Sequence, residues 1–334
     1  HVKRVFIMDD CEELLPRFLR FVRGIIDSED LPLNVSREIL QDSRIVQTMR
    51  KQVVKRALDM IEELSKTEGY AEWWGGFGAV LKEGLHFETD AKDRERIAKL
   101  VRYESTKEEG LVSLEEYTKR MPLSQPAIYY VLGASKALVR NTPHLEVLRK
   151  KGYEVLFMTD PVDAWAVEGL HEFEGKPLVS AMDADLTLEG DAEGESARKE
   201  EDAKRLGPLL SKFQAVLGEK VSEVRVSDRL TDSAVCLVQP KGGLPPYLER
   251  VLRAQKPELA FDRRALELNP DHPLVESITK LHAKAPDDAQ LAEWIEVLYD
   301  QALLAEGSPV EDPARLVQRM TALMVEAAAK AAAS

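Results

Sequence analysis

Residues 27–41 read Asp27-Ser28-Glu29-Asp30-Leu31-Pro32-Leu33-Asn34-Val35-Ser36-Arg37-Glu38-Ile39-Leu40-Gln41, and the rest of the chain is organised around them. The stretch joins an expected strand (Val2–Met8) and helix (Cys11–Ile26) to a long helix beyond it. Pro32 fixes its own φ and keeps Leu31 extended. Asn34 and Ser36 are residue types that accept hydrogen bonds from free N–H groups at a helix start. Arg37 and Gln41 are four apart, so on a helical turn they point the same way. A guanidinium and an amide on one face at a loop end suit an anion such as a phosphate.

The plainer reading of the same residues is a helix start whose Arg37 pairs with Asp30, Glu38 or Asp42. Such surface pairs are common and weak. The run Asp-Leu-Pro-Leu-Asn-Val-Ser-Arg-Glu-Ile-Leu-Gln over 30–41, however, resembles the middle-domain signature of the ninety-kilodalton heat-shock proteins, the dimeric ATP-driven chaperones. The bacterial branch, high-temperature protein G, is the one it resembles most. That signature is long and specific.

Composition sets bounds on function. With 334 residues the chain has room for two or three domains. It begins at His1 directly in an apolar run, and is read as a piece of a longer protein. The 46 basic and 59 acidic residues leave a net charge of −13, so phosphate backbones would repel it and nucleic acid is not expected as a partner. The two cysteines, Cys11 and Cys236, are far apart and the six histidines are scattered, so no structural metal is expected. No run is long and apolar enough to span a bilayer, and the expected setting is cytoplasmic, with reduced thiols and no membrane partner.

Along the chain, Ile45, Met49, Val53, Ala57, Met60, Ile61 and Leu64 give the second helix a face through about Ser65. Residues 68–105 read as all-helical, with Tyr70, Trp73, Trp74, Phe77, Val80 and Leu81 as an apolar cluster. That aromatic stripe is read as core. Residues 113–182 alternate strand and helix: strands at Ala127–Leu132, Tyr153–Met158 and Pro177–Ser180, helices at Pro143–Lys151 and Pro161–Phe173. Alternation of this kind implies parallel pairing. No glycine-rich phosphate loop is present, so a nucleotide site in this unit is not expected. A break at 183–201, acidic and glycine-bearing, leads into a last domain with strands at Val221–Val226, Ala234–Val238 and Ala265–Leu268. Its closing helices are placed at Asp287–Ala305 and Asp312–Ala327, and the alanine-rich tail after them is expected to fray.

The expected fold class is therefore α/β and α+β. Two α/β layered units are joined by a small helical linker and followed by an α+β C-terminal domain ending in a helical dimerisation bundle. The boundaries read as 1–66, 67–105, 106–188 and 189–334. The family resemblance extends through Trp73-Trp74-Gly75-Gly76-Phe77-Gly78, Pro143-His144-Leu145-Glu146, Arg229-Leu230-Thr231-Asp232 and Leu266-Glu267-Leu268-Asn269-Pro270-Asp271-His272. It covers nearly the whole chain and starts part-way into the family's middle domain, leaving the family's ATP-binding domain outside this sequence.

The resemblance implies site residues. Arg37, with Gln41 beside it, matches the middle-domain arginine that reaches the γ-phosphate of ATP. ATP and magnesium would be held mainly by the domain outside this sequence, so this chain alone is not expected to hydrolyse ATP or to carry a cofactor. For clients, partly folded proteins, the resemblance points to Trp165 and Glu168, the latter standing where the family has an asparagine. From sequence alone Trp165 is either an exposed anchor or a buried packing residue. Leu244, Tyr247, Leu248 and Val251 match the place of a mobile amphipathic helix, although an ordinary surface helix fits the same residues. This segment lacks the family's methionines.

Trp294, Leu298, Leu303, Leu316, Met320 and Leu323 repeat at helical spacing, which suits a homodimer bundle or packing within the chain. The family's function implies a stress-response, ATP-dependent chaperone partnered by itself, by clients and by other chaperones. A non-catalytic dimeric scaffold is the alternative. A small-molecule enzyme built on 127–180 ranks last, for want of a convergent acid, base or phosphate loop.

Overall fold

The computed structural model describes residues 1–7, 9, 13–30, 44–107, 109–183, 186, 192–256 and 258–333. These form two compact units. The first gathers His1–Glu104, Glu108–Arg120 and Val162–Gly175; the second gathers Ser105–Lys107, Met121–Pro161 and Lys176–Ser334.

The first unit opens differently from its sequence reading. Among the described residues 2–7 of the strand expected over Val2–Met8, Val2 instead pairs with Val5 across a tight turn in which Lys3 and Arg4 take φ of 49° and 65°. Of the helix expected over Cys11–Ile26, the described residues 13–26 hold one 3-10 turn, at Arg17–Leu19. Pro16 stands just before it in extended conformation, and a proline has no N–H to donate into a continuing helix. Helix α1, Arg44–Leu64, follows, burying Val46, Val54, Ala57, Leu58 and Ile61; of the expected face only Ala57 and Ile61 are buried, Met49, Val53 and Leu64 are half-buried, and Ile45 and Met60 are exposed.

Helices α2 (Tyr70–Phe87) and α3 (Ala91–Leu100) come next, α3 capped by the Asp90 carboxylate, which accepts from the Lys92 N–H. The stripe read as core is so in part: Tyr70, Trp74 and Leu81 are buried and Trp73, half-buried, stacks on Tyr70, but Phe77 is exposed. The helical expectation through Ser105 fails at Val101, which turns extended. Residues Arg102–Ser105 form strand β1, burying Tyr103 and Ser105 with the two-residue period of a strand. Strand β2 (Val112–Ser113) pairs with it antiparallel, and helix α4 (Leu114–Arg120) starts at a reciprocal cap. Ser113 Oγ accepts from the Glu116 N–H, while the Glu116 carboxylate accepts from the Ser113 N–H.

In the second unit, strand β3 (Ile128–Leu132), helix α5 (Lys136–Arg140), a 3-10 turn at Pro143–Leu145, helix α6 (Glu146–Lys150) and strand β4 (Val155–Met158) follow one another. The chain then supplies helix α7 (Asp163–Gly169) and strand β5 (Glu172–Phe173) to the first unit, and strand β6 (Lys176–Ser180) to the second. The single helix expected over Pro161–Phe173 is thus a seven-residue helix and a strand. β3 lies between β4 and β6 and is parallel to both. Tyr129, Val131, Leu148, Val155 and Phe157 are among its packed core.

The remainder comprises α8 (Ala192–Leu217), β7 (Val224–Val226), β8 (Val235–Val238), α9 (Pro246–Gln255), β9 (Ala265–Leu268), α10 (Pro273–Lys284), α11 (Ala289–Glu306) and α12 (Pro313–Ala333). β9 is central, parallel to β7 and antiparallel to β8. One continuous core joins Leu209 and Phe213 of α8, Leu266 and Leu268 of β9, and Ile295 and Leu298 of α11. Gly307, at φ 83°, closes α11 in the left-handed cap that a residue without Cβ adopts at least cost. α12 continues to Ala333, past Ala327, the end expected from sequence.

Candidate functional site

Arg37 and Gln41, with the whole Leu31–Ser43 stretch, lie outside the described residues. The candidate surfaces that can be built from the structure are those around Trp165, α9 and α12.

Helix α7 places its residues on two faces. Asp163, Ala164, Ala166 and Leu170 are buried, whereas Trp165 keeps 40% of its surface open and the Glu168 side chain is more than half exposed. Of the two sequence readings of Trp165, exposure is the one found. Inward, Asp163 meets the Lys82 ammonium at 2.8 Å, both side chains being buried. Lys82 also lies 4.4 Å from the centre of the Tyr103 ring, a cation–π contact in apolar surroundings. At the far end of the helix, Gly169 backs onto α2 so closely that an added Cβ would come within 2.0 Å of the Leu85 carbonyl oxygen. Glu168 stands 3.7 Å from His86 Nδ1. Sequence reading missed Lys82. Its one signal was a lysine on the same helical face as Leu81 and Leu85.

Helix α9 buries Leu248, half-buries Tyr247 and exposes Val251, while Leu244, two residues before the helix, is half-buried. The four residues therefore do not share one open face. Beneath the helix lies a cleft of about 320 Å³ lined by Leu244, Leu252, Leu259 and Phe261. An ionic cluster ties α9 to the body of the domain. Arg264 donates to Glu249 and to Glu306, each at 2.6 Å. Burial raises the Glu249 pKa, and it lifts that of Glu306 to about 7 in spite of the adjacent Arg264.

The six residues expected at a dimer bundle separate. Leu298 and Leu303 are buried in the core of their own domain and Trp294 packs against it. Leu316 is buried with Val297 and Val310. Leu323 is half-buried, and Met320 is open together with Val317, Met324 and Val325 of the same helix. α11 therefore turns most of its apolar residues into its own core, leaving Leu304 open, while Val317, Met320, Met324 and Val325 of α12 are exposed.

Among the described residues no group of histidine, cysteine and carboxylate side chains could hold a metal, and no helix is long and apolar enough to cross a membrane. Cys236 is a buried free thiol.

A parallel α/β layer continuous with an α+β part that carries long amphipathic helices makes up the second unit. The family model described as "Hsp90 protein" matches residues 1–333, and the chain belongs to that family. It is 55% identical over 99% of its length to the "Chaperone protein HtpG" of Myxococcus xanthus, and 47% identical over its full length to that of Geobacter sulfurreducens. It is 48% identical to that of Burkholderia cenocepacia over 98% of its length. The chain spans about half the length of these relatives, 51% and 52% of the first two.

Proposed function

We propose that this chain is the client-binding and dimerising part of an ATP-dependent chaperone of the bacterial high-temperature protein G type. Trp165 carries the reading. An indole left 40% open on a helix whose opposite face is buried is a ready apolar anchor for a partly folded chain. Glu168, one turn on along the same open face, supplies a polar rim. Leu244 and Tyr247 beside the cleft, with Val251 open on α9, offer a second apolar contact. The α12 surface of Val317, Met320 and Met324 is the proposed interface with a second copy.

The test is binding of fluorescein-labelled, reduced and carboxymethylated α-lactalbumin, followed by anisotropy. Trp165→Ala is expected to weaken it by about tenfold, the loss typical of an anchor residue. Unchanged affinity would remove Trp165 from the site.

Arg37 is proposed to contact the γ-phosphate of ATP held by a separate nucleotide-binding domain, with Gln41 orienting that loop. A fixed, always-charged donor offsets charge on the transferred phosphoryl group. In a longer protein that carries the nucleotide pocket, Arg37→Ala should lower ATP turnover by roughly 10²–10³-fold with nucleotide affinity kept. Loss of nucleotide affinity instead would make Arg37 a structural residue.

A further inference from the structure

We infer that Lys82 is a positioning residue for the Trp165 contact: its ion pair with Asp163 sets the rotation of α7 that holds the indole at the surface. The inference rests on the reading of Trp165 as a client contact and adds what places it there.

Helix α7 has only seven residues, and Val162 gives it no side-chain cap. A helix this short does not hold itself. Its position must come from packing, and three of its contacts run to α2. They are the Lys82–Asp163 pair, the seat of Gly169 on the Leu85 carbonyl, and the looser approach of Glu168 to His86. The first two differ in kind. Gly169 sets how close the helix comes and resists rotation sterically, since a neighbour turned into its place would press a Cβ on the Leu85 carbonyl. The ion pair adds an electrostatic cost to the same rotation, by parting a buried carboxylate from its cation.

Asp163 and Ala166 face inward, and Trp165 and Glu168 face out. Successive residues on a helix are about 100° apart, so a slip of one position would carry the indole inward. The same slip would strip a buried carboxylate of its cation, and an unpaired charge in apolar surroundings is very costly. A buried ion pair is a poor source of net stability compared with a well-packed apolar pair, but it discriminates strongly between arrangements. Lys82 is itself over-determined: its ammonium sits 4.4 Å above Tyr103 and 5.8 Å from the Trp74 ring. It is thus a fixed reference on a long helix against which the short one is set.

The experiment uses the whole chain with 5-fluorotryptophan incorporated. The fluorine resonance of Trp165 is assigned by Trp165→Phe, and the carboxymethylated α-lactalbumin probe is used as above. The decisive variant is Lys82→Met/Asp163→Leu, which removes both charges together and leaves neither unpaired. It is expected to fold and melt near the parent temperature. Its Trp165 resonance should nevertheless be displaced or doubled, and its probe affinity lowered about tenfold, the size of a coupling between residues in contact. Adding the pair of changes to Trp165→Ala should weaken binding no further than Trp165→Ala alone.

A purely structural ion pair gives the opposite result. The neutral pair would then restore both resonance and affinity to the parent values, and that outcome overturns the inference, as does full additivity with Trp165→Ala. If Trp165→Ala leaves probe affinity unchanged, the client reading fails and the resonance alone judges Lys82: moved sustains the positioning role, unmoved overturns it. The single variant Lys82→Arg, which keeps the charge, should preserve the resonance.

Discussion

Glu146 and Ser233 lie 87 residues apart and meet twice: the Ser233 N–H donates to the Glu146 carboxylate at 3.1 Å and its hydroxyl donates at 2.5 Å. The N–H groups of Thr231 and Asp232 donate to the same carboxylate at 2.7 and 2.8 Å. One side chain at the start of α6 thus gathers three consecutive N–H groups from the turn before β8. It ties the parallel α/β part of the second unit to the C-terminal sheet. Glu146→Ala should destabilise this unit by about 1 kcal/mol, since only Ser233 of the three donors is part-buried and water can reach the N–H groups of Thr231 and Asp232. Urea unfolding followed by hydrogen exchange in 231–238 measures it, with Glu146→Gln giving the smaller loss.

Arg229 makes the second tie. It is almost wholly buried, donates to Glu267 at 3.0 Å, and donates to the carbonyls of Ala181 and Asp183 at 3.0 and 2.8 Å. Arg225 pairs with the same Glu267 at 2.8 Å, but about a third of its side chain is exposed. Arg229→Met should therefore cost about 3–5 kcal/mol, as for breaking a buried pair. Arg225→Met should cost clearly less, because water replaces part of what is lost. Chemical denaturation of the two variants side by side gives the order, and equal losses would refute it.

Glu306 makes stability depend on pH. Burial raises its pKa to about 7, against the pull of Arg264 and the hydrogen bond from Ser308. The folded state therefore holds this proton more tightly than the unfolded chain, whose carboxyl titrates near 4.5. The stabilisation is fully present below about pH 4.5 and is lost as pH rises through about 7. Glu306→Gln should flatten the fall of the melting temperature between pH 5 and about 8 relative to the parent. A fall of equal slope in both proteins would show that another group is responsible.

Helix α12 decides the oligomer test. Deleting everything after about Asp287 would remove Leu291, Ile295 and Leu298 from their own core and report unfolding rather than dissociation. Val317→Glu/Met324→Glu instead places charges only where α12 is open, at residues 61% and 69% exposed. Sedimentation should show a dimer converted to a monomer with the secondary structure retained. A mass that does not change would exclude this face as the interface.

Periodicity in the sequence was informative wherever one residue type carried one structural consequence. The helical spacing of Ile45, Met49, Val53, Ala57, Met60, Ile61 and Leu64 marked α1 as a helix, although of these only Ala57 and Ile61 are buried and Ile45 and Met60 are exposed, and the apolar strand runs marked β3, β4 and β9. It misled at the start of the chain, where the periodic face of 11–26 had to yield to Pro16. It misled again at 102–105, where a two-residue pattern followed a helical one without a break. The candidate site was legible as residue names rather than as roles. Trp165 could be named from sequence, but its exposure depends on Lys82, Gly169 and α2, which the local pattern does not join to it.

By itself the sequence determined the class of fold, the family, and which helices are amphipathic, because those follow from residue order and spacing along one element. Only the tertiary structure decided which apolar faces remain open. Leu298 and Met320 look alike as periodic apolar residues, yet Leu298 is buried and Met320 is 42% exposed. The physical reason is that burial belongs to the partner surface as much as to the residue: α8, β8 and β9 cover one side of α11, and the described residues leave the outer side of α12 uncovered.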